Sequence, residues 1–548
     1  MRRAVRFDNQ DVQKEIDSID TTVAHGVRFC KKYKNSSVTE NGAAGYRTTQ
    51  QPLLDLNFKA SSLRNRSEKE IVDSFIKAFY ANKKYALKWL FFLRDILEGM
   101  GERRSFRICL NYLANSHTDI AAAVMKLVPE YGRYDDLLAY IDSPLCEQVC
   151  LFIKQQLEKD IAAMDVKQPI SLLAKWLPSN NTSSKESRRY ASIIARRLGY
   201  SDRTYRKILS ALRAYSNVVE VKLSASEWSS VDYELVPAKA NLKYDRAFVR
   251  HDAKRRSQYL KEVILGEGKL NAKGLMPYEI VHRFTTNCAW STTFRDDLLA
   301  ELMWQKLTEE GFCNEWGLED CIVVADGSGS MYTNVTGSTS IQAIEVCNSL
   351  AIYFAQQLQG VFHNKAITFS GSPKFIDLEQ GESLKEKLEI MFAHNEVANT
   401  NVEAVFELLL DMAVSNQVPK AQLPKQVLLI SDMEFDQARR PLYYNGPKES
   451  WRIFDEKLFD MIAARYKKAG YTMPRLIFWN VCGRTDTIPM VEGESGICLL
   501  SGFSQNAMKI AAQKDCINPY ESLIRTLDTP RYDRVEQAFW EAVKKQGA

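Results

Sequence analysis

The sequence predicts a two-part chain, an N-terminal all-α array of helical repeats followed by an α/β domain. Three observations predict it. From Ser67 to Leu307 apolar residues recur at helical spacing, with short polar breaks between segments. From Asp320 onward, short β-branched runs alternate with helical segments, as in a mostly parallel sheet covered on both faces. Between the two, the composition shifts near Cys313-Asn-Glu-Trp-Gly317.

With 548 residues the chain has room for several domains, and 45% hydrophobic and 11% aromatic residues are too many for a disordered protein. No run is long enough to span a bilayer, and the first residues lack the apolar core of a signal peptide. The eleven cysteines are scattered without a CxxC pair. Cys146 and Cys150, one helical turn apart, read as buried thiols. A reducing, cytoplasmic setting is the expectation.

In chain order, residues 1–50 read as an irregular polar arm, with loops at Asn35-Ser-Ser and Glu40–Gly45. Residues 51–312 form the helical array. Ser67-Glu-Lys-Glu70 has capping-box spacing ahead of Ile71, Phe75 and Phe79. Helices follow at Tyr85–Gly99, Phe106–Ala114, Ala121–Val128, Leu137–Ile141, Cys146–Ala163 and Ile170–Trp176. Short turns between helices suggest stacked pairs of the solenoid type, with repeats too degenerate to show a period. Val218–Leu223 and Val231–Pro237 read as a loop-rich, β-branched connection. Helices resume at Phe248–Ile264, Pro277–Phe284 and Phe294–Leu307.

Strands are expected at Cys321–Ala325, Lys365–Phe369, Lys374–Leu378, Gln426–Ile430, Arg475–Val481 and Ile497–Leu500. Helices lie between them at Ile341–Leu358, Ser383–Phe392, Val402–Val414, Trp451–Ala469 and Ser504–Lys514. This α/β domain spans 318–510. Residues 511–548 form helices with a break at Pro530, returning to pack on the body.

Charge is unevenly placed. Asn181–Leu260 carries 17 Lys and Arg against 8 Asp and Glu, a local +9 in a chain of net +5. Arg188, Arg189, Arg196 and Arg197 surround an apolar stripe, and Arg203, Arg206, Lys207 and Arg213 repeat the theme. Lys254, Arg255 and Arg256 make a third cluster. With Tyr190, Tyr205 and Tyr215 interleaved, they weigh evenly between a solvated helix face and a phosphate-binding surface.

The first strand ends in Asp326-Gly-Ser328-Gly-Ser330, one carboxylate and two hydroxyls at alternate positions. The fourth ends in Ser431-Asp432-Met-Glu434-Phe-Asp436, and Thr400 precedes a helix N-terminus. In an open α/β sheet these loops gather at one edge, and oxygen-only donors suit Mg²⁺, or Mn²⁺ or Ca²⁺, before Zn²⁺. Glu434 reads as solvated, and His363 and His394 as structural. Ser328 has no neighbouring base, and no phosphate-cradling GxxxxGK[ST] loop is present, so no enzyme is expected.

The set Asp326, Ser328, Ser330, Thr400 and Asp432 resembles the metal-ion-dependent adhesion site of von Willebrand factor A domains, which implies a Rossmann-like fold over Asp320–Asn506. The resemblance implies that Ser328, Ser330 and Thr400 ligate directly or through water, the aspartates hold waters or the ion, and one position stays open. The order of helical array, A domain and C-terminal helix resembles the Ro ring ribonucleoproteins, whose helical (TROVE) domain closes into a ring and which bind non-coding RNA. Val128-Pro-Glu-Tyr-Gly-Arg-Tyr-Asp-Asp-Leu137, Lys175-Trp-Leu-Pro-Ser179 and Ser431-Asp-Met-Glu-Phe-Asp436 look closer to an uncharacterised family of the same architecture in viruses, bacteria, plants and fungi. The last of these bears on architecture, while the Ro resemblance with the basic clusters implies a non-enzymatic RNA-binding ring or horseshoe, expected to be a monomer. The alternative is a scaffold whose metal site grips an acidic residue of a protein partner.

Overall fold

The computed structural model describes residues 35–38, 44–216, 218–288, 291–309, 321–335, 341–358, 360–395, 402–434, 456–483, 488, 497–507, 510 and 518–546. A helix-rich N-terminal region is followed by a mixed α/β region.

Local sequence rules account for the first helices. Ser67 caps Glu68–Ala81: its hydroxyl accepts from the Glu70 N–H at 3.3 Å, and the Glu70 carboxylate accepts from the Ser67 N–H at 3.0 Å. Ile71, Phe75, Ala78 and Phe79 then form one buried face. The next helix, Lys83–Arg94, is buried from Ala86 to its end, because other elements cover it on all sides. Its two buried cations, Lys88 and Arg94, therefore need partners. Arg94 Nε lies 2.8 Å from Asp136 Oδ2, and Lys88 Nζ reaches Asp528 at 2.8 Å and Glu536 at 2.7 Å.

Those last two acids belong to the C-terminal segment. Helices Pro519–Leu527 and Asp533–Gln546 pack on Lys83–Arg94, and the second also on Thr118–Val124. Arg531 pairs with the buried Asp95 through Nε at 2.8 Å and Nη2 at 2.9 Å, while the Tyr131 hydroxyl donates to the Arg531 carbonyl at 2.5 Å.

The α/β region is built on one six-stranded sheet: β1 Cys321–Asp326, β2 Lys365–Phe369, β3 Phe375–Asp377, β4 Gln426–Ser431, β5 Arg475–Asn480 and β6 Ile497–Ser501. The order is β3-β2-β1-β4-β5-β6, all parallel except the antiparallel edge strand β3. Helix Ala343–Ala355 is buried at every residue, held between β1 and helix Pro277–Val281.

The two ends of the helical region meet at the sheet. Arg64, near its start, pairs with Glu102 and lies 3.9 Å over the Phe503 ring, just past β6. Tyr278, near its end, meets the same ring edge-on at 5.6 Å. Nearby, the Ser61 N–H donates to Ser501 Oγ at 2.9 Å and Asn480 Nδ2 to the Phe58 carbonyl at 3.0 Å.

Several local expectations change. Residues 36–46 contain a hairpin, Ser36–Val38 with Ala44–Tyr46, where loops were expected. Val219–Ser224 is a helix rather than a β-branched connection, and 3-10 turns occupy Trp228–Ser230 and Tyr233–Leu235. A second hairpin, Thr285–Cys288 with Ser291–Phe294, displaces the start of the following helix to Leu298. The Cys313–Gly317 boundary, most of Ser504–Lys514 and the start of Trp451–Ala469 lie outside the described residues.

Candidate metal centre and basic surface

Strands β1 and β4 are parallel neighbours in register, Ala325 opposite Ile430, so their C-terminal loops leave the sheet at one edge. Strand order runs outward in opposite directions from this pair, which makes it the switch point where open α/β sheets bind ligands. Asp326 is buried here, and one carboxylate oxygen accepts from the Ser328 N–H at 2.9 Å while the other accepts from the Ser431 hydroxyl at 2.6 Å. The Ser328 and Ser330 hydroxyls lie 3.0 Å apart, both partly exposed at the rim.

The β4 loop turns sharply. Ser431 Oγ accepts from the Met433 N–H at 3.0 Å, Met433 has a φ of +62°, and the Glu434 N–H donates to Asp432 Oδ1 at 3.1 Å. Asp432 and Glu434 are both buried, so the expectation of a solvated Glu434 is overturned: the turn folds it inward. Gly327 holds the β1 loop against a neighbouring segment, since a Cβ there would stand 2.8 Å from the Asn395 Cα. The buried Cys347 thiol, 3.4 Å from the Ile430 carbonyl, is pushed well up by burial and then by the nearby Asp326 charge. Thr400 and Asp436 lie outside the described residues.

The structure thus brings Asp326, Ser328 and Ser330 to the same sheet edge as Ser431 and Asp432. Ser431, whose hydroxyl ties the two loops together, was missed as a site residue; its position directly before Asp432 at the end of a strand was the available signal. Among the described residues no group of three His, Cys, Asp or Glu is disposed to hold a metal. The donors here are two carboxylates and two hydroxyls, an all-oxygen set that fits a hard divalent cation. His363 and His394 are engaged through Nδ1 with the Leu358 and Ile390 carbonyls, both at 2.8 Å. Cys150 is buried and Cys146 half-buried, and burial, then the neighbouring thiol, pushes Cys150 up to about 12.

The basic residues divide by what surrounds them. Arg213 donates to the Ala174 and Leu177 carbonyls and to Ser179 Oγ at 2.7–2.8 Å. Arg255 spans the Trp228, Ser229 and Val231 carbonyls, and buried Arg256 pairs with Asp245 at 2.7 Å amid Tyr233, Phe248 and Tyr259. These three hold the fold together. Arg189 pairs with Asp142 through both terminal nitrogens, Arg197 with Glu147, and Arg188 donates to the Thr182 carbonyl. Arg196, Arg203, Arg206, Lys207 and Lys254 are exposed, with no acidic partner among the described residues. Of the interleaved tyrosines, Tyr190 and Tyr215 are partly exposed. Tyr205 is buried, and Tyr190, Tyr205 and Tyr215 direct their hydroxyls to Asp142, the Pro178 carbonyl and the Gln168 carbonyl.

Fold and site together define a helix-rich region joined to an α/β domain with an oxygen-lined switch point. Residues 320–544 match the family described as Domain of unknown function (DUF7788), and residues 39–137 and 143–310 match Domain of unknown function (DUF2828). The chain is 27% identical over 533 residues to Uncharacterized protein L728 of Acanthamoeba polyphaga mimivirus, covering 90% of this chain and 87% of that one. The crystal structure of the Deinococcus radiodurans RO (RSR) protein aligns over 83% of this chain and 93% of its own, at 11% identity and a TM-score of 0.39. No described helix is long and apolar enough to cross a membrane.

Proposed function

We propose that the chain is a non-enzymatic RNA-binding scaffold whose α/β domain is a von Willebrand factor A-type module with an adhesion-type Mg²⁺ site. The observation that carries the RNA reading is the set of four exposed, acid-free cations Arg196, Arg203, Arg206 and Lys207. They lie on two adjoining helices, Lys185–Leu198 and Asp202–Tyr215. Cations left in water without carboxylate partners are available to neutralise phosphates and so release the counterions condensed on RNA, a large source of affinity. The module reading rests on the strand order and on the donors at the β1/β4 edge. Asp326, Ser328, Ser330 and Asp432 would hold the cation, with Thr400 added by resemblance. The cation would supply a Lewis-acidic docking point for an anionic group.

Binding of labelled RNA by the full chain, measured across a salt series, tests the first part. Reversing Arg196, Arg203 and Arg206 to Glu is expected to weaken binding at least tenfold and to flatten the salt slope by about two units. Wild-type protein without a salt slope rejects the RNA reading. For the cation site, calorimetry with Mn²⁺ is expected to show one site that Asp326→Ala abolishes while RNA binding persists. A second reading, docking of an acidic protein partner at the cation, is favoured by the partial exposure of Ser328 and Ser330 above the buried Asp326. It requires a chelator-sensitive protein complex lost in Asp326→Ala.

A further inference from the structure

Two sequence stretches that the basic helices do not include come together in space. Arg133, from Val128–Leu137, lies with its guanidinium 4.4 Å from the centroid of the Trp176 ring, from Lys175–Ser179. Lys175 Nζ is 5.5 Å from the same centroid.

Both sides of this contact are rigidly built. Asp136 is buried and takes Arg94 Nε at 2.8 Å, Arg107 Nε at 2.6 Å and the Arg133 backbone N–H at 2.9 Å. Gly132 leaves room for this knot, because a Cβ would strike Asp136 Oδ2 and stand 2.8 Å from Arg94 Nε. On the other side, Arg213 grips the carbonyls of Ala174 and Leu177, fixing the turn that carries Trp176.

The charges do not cancel. Arg94, Arg103, Arg107 and Arg133 face Asp135 and Asp136. Arg107 pairs with both acids, and Arg103 stands 3.8 Å from Asp135. The Arg133 guanidinium alone makes no hydrogen bond or ion pair among the described residues, although it is half-buried. Burial pulls its pKa below the usual arginine value; the Asp135 charge opposes that pull, and the Arg94 and Arg103 charges add to it. A part-desolvated cation with its donors unused, in a local excess of positive charge and beside a half-exposed indole, is a poor structural element. It is a good phosphate ligand.

We infer that the Arg133–Trp176 surface is a subsite for single-stranded RNA, with Arg133 taking a backbone phosphate and Trp176 offering an edge against which a neighbouring base packs. The inference rests on the RNA-binding reading above and adds to it a second contact region on a different part of the helical array.

The test uses the full chain, a fluorescein-labelled oligouridylate about fifteen nucleotides long, and anisotropy across a salt series. Arg133→Gln is expected to bind about tenfold more weakly, with a salt slope shallower by about 0.7. Its melting temperature should fall only slightly, because the guanidinium makes no hydrogen bond or ion pair among the described residues and gives up only its contact with the Trp176 ring. Arg133→Lys keeps the slope and recovers part of the affinity, which separates a lost phosphate contact from lost folding. Wild-type affinity and slope in Arg133→Gln, while Arg203→Gln/Arg206→Gln weakens binding, overturn the subsite and leave the RNA reading standing. A wild-type protein that binds no oligouridylate but is stabilised against heat by pyrophosphate, in a manner lost in Arg133→Gln, overturns the RNA commitment in favour of a free phosphate ligand. No binding in either arm overturns both.

Discussion

Asp136 shows how one side chain can fix a stretch of chain. Its carboxylate is wholly buried between Arg94 and Arg107, and a carboxylate in that position is stable only while both partners and the backbone donor stay in place. Gly132 is the residue that permits this. Gly132→Ala is expected to cost about 2–4 kcal/mol, by pressing a methyl group into the Asp136–Arg94 pair. Urea unfolding would measure it, and a loss within the few tenths of a surface substitution would show that the knot relaxes. The sequence carried Asp135, Asp136 and Arg133 in plain view, yet gave no means of telling the buried acid from the half-exposed one. The same holds for Arg213, Arg255 and Arg256 against Arg203 and Arg206. Whether an arginine faces water or caps carbonyls depends on which distant turn lies under it, and composition does not record that.

At the scale of elements, the C-terminal helices bury Leu523, Leu527, Val535 and Phe539 against the body and add ion pairs to Lys83–Arg94. Hydrogen bonding to Lys88 lowers Glu536 from 4.5 to about 2. A carboxylate with a depressed folded pKa adds stability that is fully present above its unfolded value and is lost as pH falls through the folded one. Wild-type protein is therefore expected to lose more stability than Glu536→Gln between about pH 4.5 and about pH 2, read as the shift in urea midpoint. Equal losses in the two proteins would mean that the pair is not felt. At neutral pH the double change Asp528→Asn with Glu536→Gln leaves the buried Lys88 ammonium unmatched. Its expected cost is roughly 2 kcal/mol, below that of a fully buried pair because both acids touch water.

The legibility of elements follows the same physics. Strands β1, β2, β4, β5 and β6 were plain because parallel strands buried on both faces require unbroken apolar, β-branched runs. Val219–Ser224 misled because its valines suit either state, and packing chose the helix. The hairpin Thr285–Cys288 with Ser291–Phe294 was missed although it holds two threonine pairs, Thr285-Thr286 and Thr292-Thr293, that favour strands. A two-stranded ribbon leaves only a four-residue mark on each side, easily absorbed into a neighbouring helical pattern.

For the whole molecule, the sequence showed the two regions and their order, and the loops that converge at the β1/β4 edge. It did not show that Arg64, Tyr278 and Phe503 join the start and end of the helical region at the sheet. Such contacts leave no periodic trace, since they join single residues hundreds of positions apart. The pairing of Asp95 with Arg531 is an extreme case, the two lying 436 positions apart. At roughly 5–20 residues per second, a ribosome needs about 20–90 seconds to make the partner after making the acid. Throughout that interval Lys83–Arg94 lacks the cover that residues 519–546 add, and Asp95 lacks its arginine partner. A chain built this way needs its early helices shielded during synthesis, and translation speed becomes one of the conditions of its folding.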